Sequence, residues 1–284
     1  MKFKGFLILC LLMLASASFV SAQEEPKYAK LAETKIHYVS EGKGKDAVVL
    51  VHGWTCNLGH WRDQIPALSK RARVIALDLP GHGRSDKSQI KYDMDLFAAA
   101  IEAVMKDANV ERAVLVGHSM GTPVIRQFYR KYPQRTLALV IVDGGLRPFG
   151  TKEGREQMMA PLRGPNYKDA GAQMFSAMAA TLSEADKERV RSSFLSTPQH
   201  VLVSAMEALA DESLYTTDKI NVPVLAILAK SPFWPADTEQ FFRSLAPDLE
   251  YHMWDGVSHF LFMDKPKEFT AAVVSFLDKK NLLK

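Results

Sequence analysis

The chain has 284 residues, 47% of them hydrophobic and 24% charged, which is too apolar for a disordered polypeptide and long enough to bury a core without disulfide or metal staples. Its formal charge is only +4, and two of those charges belong to Lys2 and Lys4 at the extreme N-terminus. Such a small excess excludes a nucleic-acid footprint.

Lys2 and Lys4 precede an apolar run from Gly5 to Leu14, then small residues and Val20-Ser21-Ala22. This is the pattern of a secretory signal peptide over residues 1–22, cleaved before Gln23. The run is shorter than the roughly 20 residues that span a bilayer, so no stable membrane insertion is expected after cleavage. Leu7-Ile8-Leu9-Cys10 makes a poor lipidation site, because Leu9 is bulky where a small residue is needed. The expected location is secreted or periplasmic. Loss of Cys10 would leave Cys56 as the only cysteine, expected to be a buried, unreactive thiol.

Beyond a polar leader from Glu24 to Lys30, short aliphatic runs alternate with longer stretches of helical period. Val48 to Val51, Val74 to Leu77, Ala113 to Val116, Leu137 to Val142 and Val222 to Ala229 are continuous and β-branched, as parallel strands buried on both faces are. Leu96, Phe97, Ala100, Ile101, Val104 and Met105 recur at helical spacing after Asp93 or Asp95 as cap. The alternation predicts an α/β sheet. Between Gly144 and Asp218 it breaks: four helical segments follow one another near Glu153 to Met159, around Met174 and Phe175, after Ser183, and from Thr197-Pro198. The expected division is a core of residues 23–144 and 219–284 with a helical insertion over 145–218. Ser231-Pro232-Phe233-Trp234-Pro235 reads as a loop.

Gly117-His118-Ser119-Met120-Gly121 follows one predicted strand and precedes a helical segment containing Val124, Ile125 and Phe128. A Gly-x-Ser-x-Gly in that setting is a nucleophile elbow, whose glycines make room beside a serine held in a strained conformation. A nucleophilic serine also needs N–H donors aimed at the oxyanion it creates. His52-Gly53-Trp54 ends the first predicted strand, so the N–H groups of Trp54 and Met120 are the natural pair.

Together with Asp78-Leu79-Pro80-Gly81-His82-Gly83-Arg84-Ser85 and Gly256-Val257-Ser258-His259-Phe260, these motifs resemble the α/β-hydrolase superfamily in kind and order. The resemblance implies a mostly parallel sheet with helices on both faces and a helical cap inserted between two strands. Among His52, His82, His118, His200 and His259, it places the general base in the loop after the last predicted strand, Glu250 to Trp254, hence at His259. The acid departs from the common pattern. Ser231, before Pro232, stands where most members carry an Asp. Asp143, directly after the strand Leu137 to Val142, matches members whose acid follows that strand, and a strand end would hold its carboxylate rigidly. Asp237, after Pro235, is the alternative acid.

Ser119 excludes the alkyl-enzyme chemistry of relatives with Asp at the elbow, which leaves acyl transfer. No zinc or dinuclear-metal spacing and no nucleotide-binding glycine pattern occurs, so neither metal nor cofactor is expected. The implied function is an exported serine carboxylesterase acting on small or medium apolar esters, with Trp54, Met120 and Trp234 walling an apolar pocket. An acyltransferase or perhydrolase using the same acyl-enzyme, or a low-turnover ligand-binding protein of the same fold, are the alternatives.

Overall fold

The aliphatic runs of the sequence become strands with every residue buried, at Ala47–Val51 (β3), Ala113–His118 (β5) and Val224–Ala229 (β7). Strands buried on both faces require cover on both sides, which the helices supply. In the computed structural model, which describes residues 26–283, the remaining strands are Lys27–Leu31 (β1), Thr34–Glu41 (β2), Arg73–Leu77 (β4), Thr136–Val142 (β6) and Leu249–Trp254 (β8). They form one eight-stranded sheet in the order β1-β2-β4-β3-β5-β6-β7-β8. β2 runs antiparallel to β1 and β4, and every other pair is parallel. The expected signal segment, residues 1–22, lies outside the described residues.

The expected polar leader gives way at Lys27 to the edge strand of the sheet, Lys27–Leu31. An edge strand buries little: Ala29 packs inward while lysines occupy much of the rest, a composition that also discourages pairing with other chains. Its partner β2 buries Ile36, His37 and Tyr38.

The helices are Gln64–Leu68 (α1), Met94–Asp107 (α2), Gly121–Lys131 (α3), Lys152–Arg163 (α4), Tyr167–Met178 (α5), Glu184–Ser196 (α6), Gln199–Ala210 (α7), Thr238–Leu245 (α8), Leu261–Asp264 (α9) and Pro266–Lys279 (α10). Asp93, not Asp95, caps α2 by accepting the Leu96 N–H. α4 to α7 all fall between β6 and β7. The Ser183 hydroxyl caps α6 by accepting from Asp186 N and donates to the Asp186 carboxylate at 2.8 Å. Asp186 is thus an acceptor here, where a Glu in a capping box would reach back to the cap N–H.

One buried arginine closes this excursion at its base. Arg126 of α3 donates to Leu146 O, where the chain leaves the sheet region, and to Thr216 O and Asp218, where it returns. Arg130, one turn on, binds Leu214 O, Thr216 Oγ1 and Asp218. Burial lowers the Arg126 pKa to about 10, so it remains cationic at neutral pH. Removing a buried charge that satisfies several acceptors is costly, though Asp218 is partly exposed and screened. Arg126→Leu should therefore cost about 2 kcal/mol in urea unfolding; an unchanged midpoint would show that the closure carries no stability.

Candidate active site

The register of the parallel strands brings their C-terminal ends level, pairing Val51 with Gly117 and His118 with Val142. The residues that follow three of these strands, Trp54, Ser119 and Asp143, therefore meet at one edge of the sheet. Ser119 has φ +52° and Asp143 φ +43°, both in the left-handed region that non-glycine residues rarely occupy. Ser119 N–H donates to Val142 O, and Asp143 N–H to Ile227 O, so neighbouring strands impose both conformations.

Glycines make the turn sterically feasible. A Cβ on Gly117 would lie 2.4 Å from Gly121 O, and one on Gly121 would lie 2.5 Å from Val51 O. One on Gly53 would lie 2.9 Å from His118 Nδ1 and 3.1 Å from Ser119 Cβ. Contacts this short leave no room for any side chain.

Asp143 is buried, and its two oxygens are separately engaged. Oδ1 accepts from Ala229 N–H at 2.8 Å, and Oδ2 lies 2.6 Å from His259 Nδ1. The carboxylate therefore selects the His259 tautomer with the proton on Nδ1, leaving Nε2 as an acceptor. Asp237 lies elsewhere, held by the two terminal guanidinium nitrogens of Arg147 at 3.0 and 2.5 Å. That pairing holds its carboxyl below the usual range. Ser231 Oγ caps a local turn by accepting from Phe233 N–H. Among the described residues, no hydrogen bond joins Ser119 Oγ to His259, a contact that commonly closes only around substrate.

The N–H groups of Trp54 and Met120 are aimed by the carbonyls of their own peptide units, since N–H and C=O point oppositely across a trans peptide. Gly53 O accepts from Cys56 N–H and from His52 Nδ1, and Ser119 O accepts from Thr122 N–H. Among the described residues, neither the Trp54 N–H nor the Met120 N–H has a protein acceptor. Met120 also stands at the cap of α3, so that helix points its positive end at the same space.

Three neighbours with no role evident from the sequence brace the site. His118 Nε2 donates to His259 O at 2.9 Å, tying the elbow to the histidine loop. The Asp78 carboxylate accepts from Leu58 N–H, Arg84 N–H and His37 Nδ1, pinning two loops that flank the site. His52 Nε2 accepts from Leu79 N–H, which orients its Nδ1 toward Gly53. Only the motif containing each residue was visible in sequence. His200 sits on α7, near Ser88 and Gln89. Cys56 is buried, with its thiol pushed up to about 12 by burial.

The sequence profile of the α/β-hydrolase fold family matches residues 46–266. The chain belongs to that family. This α/β-hydrolase is similar to a 2-hydroxy-6-oxo-6-(2'-aminophenyl)hexa-2,4-dienoic acid hydrolase of Metapseudomonas resinovorans, 26% identical, covering 94% of this chain and 97% of the relative. Its fold matches an esterase of Exiguobacterium antarcticum with TM-score 0.78 and 20% identity, covering 89% of this chain and all of the other. It matches an enol-lactonase of Burkholderia xenovorans LB400 equally well, at TM-score 0.78 and 23% identity over the same shares. Family and relatives make this α/β-hydrolase a hydrolytic enzyme.

Burial keeps the surrounding imidazoles neutral. It lowers His52 to about 3 and His60 and His82 to about 4, and sets His118 well below its ordinary value. In the unfolded chain each would protonate near 6.5, so the unfolded state binds more protons as pH falls below that point. Their contribution to stability is complete above pH 6.5 and is lost on descent toward pH 4, at about 1.4 kcal/mol per unit for each histidine. The urea midpoint should drop steeply between pH 6.5 and 4.5. A flat profile there would contradict neutral burial.

Proposed function

We propose that the protein is an exported serine hydrolase of carboxylesterase type, cleaving small or medium apolar carboxylic esters through an acyl-enzyme on Ser119. The observation that carries this reading is the 2.6 Å hydrogen bond from His259 Nδ1 to Asp143, which leaves Nε2 free to take a proton. Ser119 Oγ attacks the ester carbonyl as its proton passes to His259 Nε2. The carbonyl oxygen becomes an oxyanion between the Trp54 and Met120 N–H groups. Collapse expels the alkoxide, which takes the proton from His259, and water then repeats the sequence to release the acid.

The apolar preference is supported by the apolar side chains of this region. Trp54 stacks on Phe175 and packs against Phe194, Met120 is buried beside Ser119, and Trp234 lies near Gly145.

A panel of chromogenic esters of graded acyl length tests the reading. Ser119→Ala and His259→Ala should each lower kcat by several orders of magnitude, and the double variant should be little worse, because the two act as one unit. Asp143→Asn should lose on the order of 10⁴-fold in kcat through the wrong imidazole tautomer. Asp237→Asn breaks only an exposed ion pair and should lose less than about fivefold. Activity retained in Ser119→Ala would sink the mechanism, and equal losses in the two Asp variants would sink the choice of acid.

The charged start, short apolar run and Val20-Ser21-Ala22 support export. Intact mass of the exported protein should begin at Gln23; a Met1 terminus would show an uncleaved segment.

A further inference from the structure

The helices between β6 and β7 are hydrogen-bonded to two of the proposed catalytic elements. The Trp54 indole Nε1–H donates to Leu202 O of α7 at 2.9 Å, in a buried setting. Its ring lies 5.7 Å from Phe175 of α5, nearly parallel, and 6.3 Å from Phe194 of α6. On the other side of the site, His259 N–H donates to Met178 O at the end of α5. Thr181 Oγ1 also donates to Asp264, whose other oxygen holds the Ser258 N–H and hydroxyl.

The backbone at Trp54 needs such support. Thr55 has φ +56°, a strained conformation for a β-branched residue, and its hydroxyl donates to Trp54 O at 2.8 Å. Relaxation of that corner would turn the Trp54–Thr55 peptide and with it the adjoining Gly53–Trp54 peptide that carries the N–H, since local strain persists only where surroundings over-determine it. The indole bond is the longest-range contact on the corner, joining residues 148 positions apart.

We propose that Trp54 is a positioning residue whose indole bond to Leu202 lets the helical insertion hold the Trp54 N–H in oxyanion-binding alignment. The insertion is then a working part of the catalytic frame as well as a cover. The proposal rests on the acyl-transfer reading above. An oxyanion donor acts on charge that exists only in the transition state, so its misalignment lowers kcat and spares KM. Loss of substrate packing would instead raise KM, and loss of stability alone would move neither in the folded fraction.

Trp54→Phe keeps a ring against Phe175 and deletes the N–H donor. Replacement of Trp54 by 3-benzothienylalanine keeps the full bicyclic shape and deletes only that donor, so folding is preserved even where Phe leaves a gap. Full loss of an oxyanion donor costs about 10²- to 10³-fold in kcat, so a misaligned one should cost about 10- to 100-fold. Both variants, assayed on a short-chain chromogenic ester, should show that fall with KM within about twofold of wild type. Wild-type kcat in the benzothienyl variant, or a raised KM with kcat unchanged, overturns the proposal. Ser119→Ala assayed in parallel separates the two levels. If Ser119→Ala is inactive while the benzothienyl variant keeps full kcat, only the tether fails. If Ser119→Ala remains active, the acyl-transfer reading fails and the tether falls with it.

Discussion

Level strand ends are the constraint on which the rest of this structure depends. Parallel register sets Val51 beside Gly117, His118 beside Val142 and Val142 beside Ile227, so the chain leaves three neighbouring strands at one edge. Loops at the carboxyl edge of an open parallel sheet are where α/β proteins assemble their sites. Here those loops bring Trp54, Ser119 and Asp143 together, and the loop after β8 supplies His259 to the Asp143 carboxylate. Central strands buried on both faces cannot shift without breaking their ladder, which gives the loops a rigid base.

That rigidity lets strain and polarity coexist at the edge. Thr55, Ser119 and Asp143 all adopt positive φ, at about 1 to 3 kcal/mol each, and each is tied by hydrogen bonds to neighbouring backbone. The histidines beneath them are neutral because burial penalises their charged forms. Their ring nitrogens nevertheless hold backbone groups: His52 fixes Gly53 and Leu79, His82 bonds Pro80 O, and His118 binds the His259 carbonyl. A buried network of neutral rings orients the site without adding positive charge that would compete with His259 for the Asp143 carboxylate.

Much of this frame is legible in the amino-acid sequence, because the central strands are buried on both faces and so read as unbroken aliphatic runs. The elbow is legible too, since its glycines mark positions where a Cβ would meet backbone at 2.4 to 2.5 Å. β1 was hidden by its edge position, which permits lysines where a central strand permits none. The position most members of the superfamily give to the acid holds a turn-capping serine, Ser231, and the carboxylate that meets His259 sits one strand away at Asp143, legible in the sequence because it directly follows a buried aliphatic run. The contacts of Asp78 with His37 and Leu58, and the reach of the Trp54 indole to Leu202, join residues 41, 20 and 148 positions apart. No local pattern encodes such pairings; they exist only once the sheet has brought the segments together.

The proposed covalent acyl-enzyme on the elbow serine can be observed without reference to rate constants. Brief reaction of the purified protein with a slowly deacylating activated ester, acid quenching and peptide mass mapping would locate the acyl group. A single acyl addition on Ser119 is expected, absent when that residue is Ala. Acylation at another side chain, or ester turnover with no covalent intermediate at Ser119 under conditions that trap one in a known serine esterase, would contradict it.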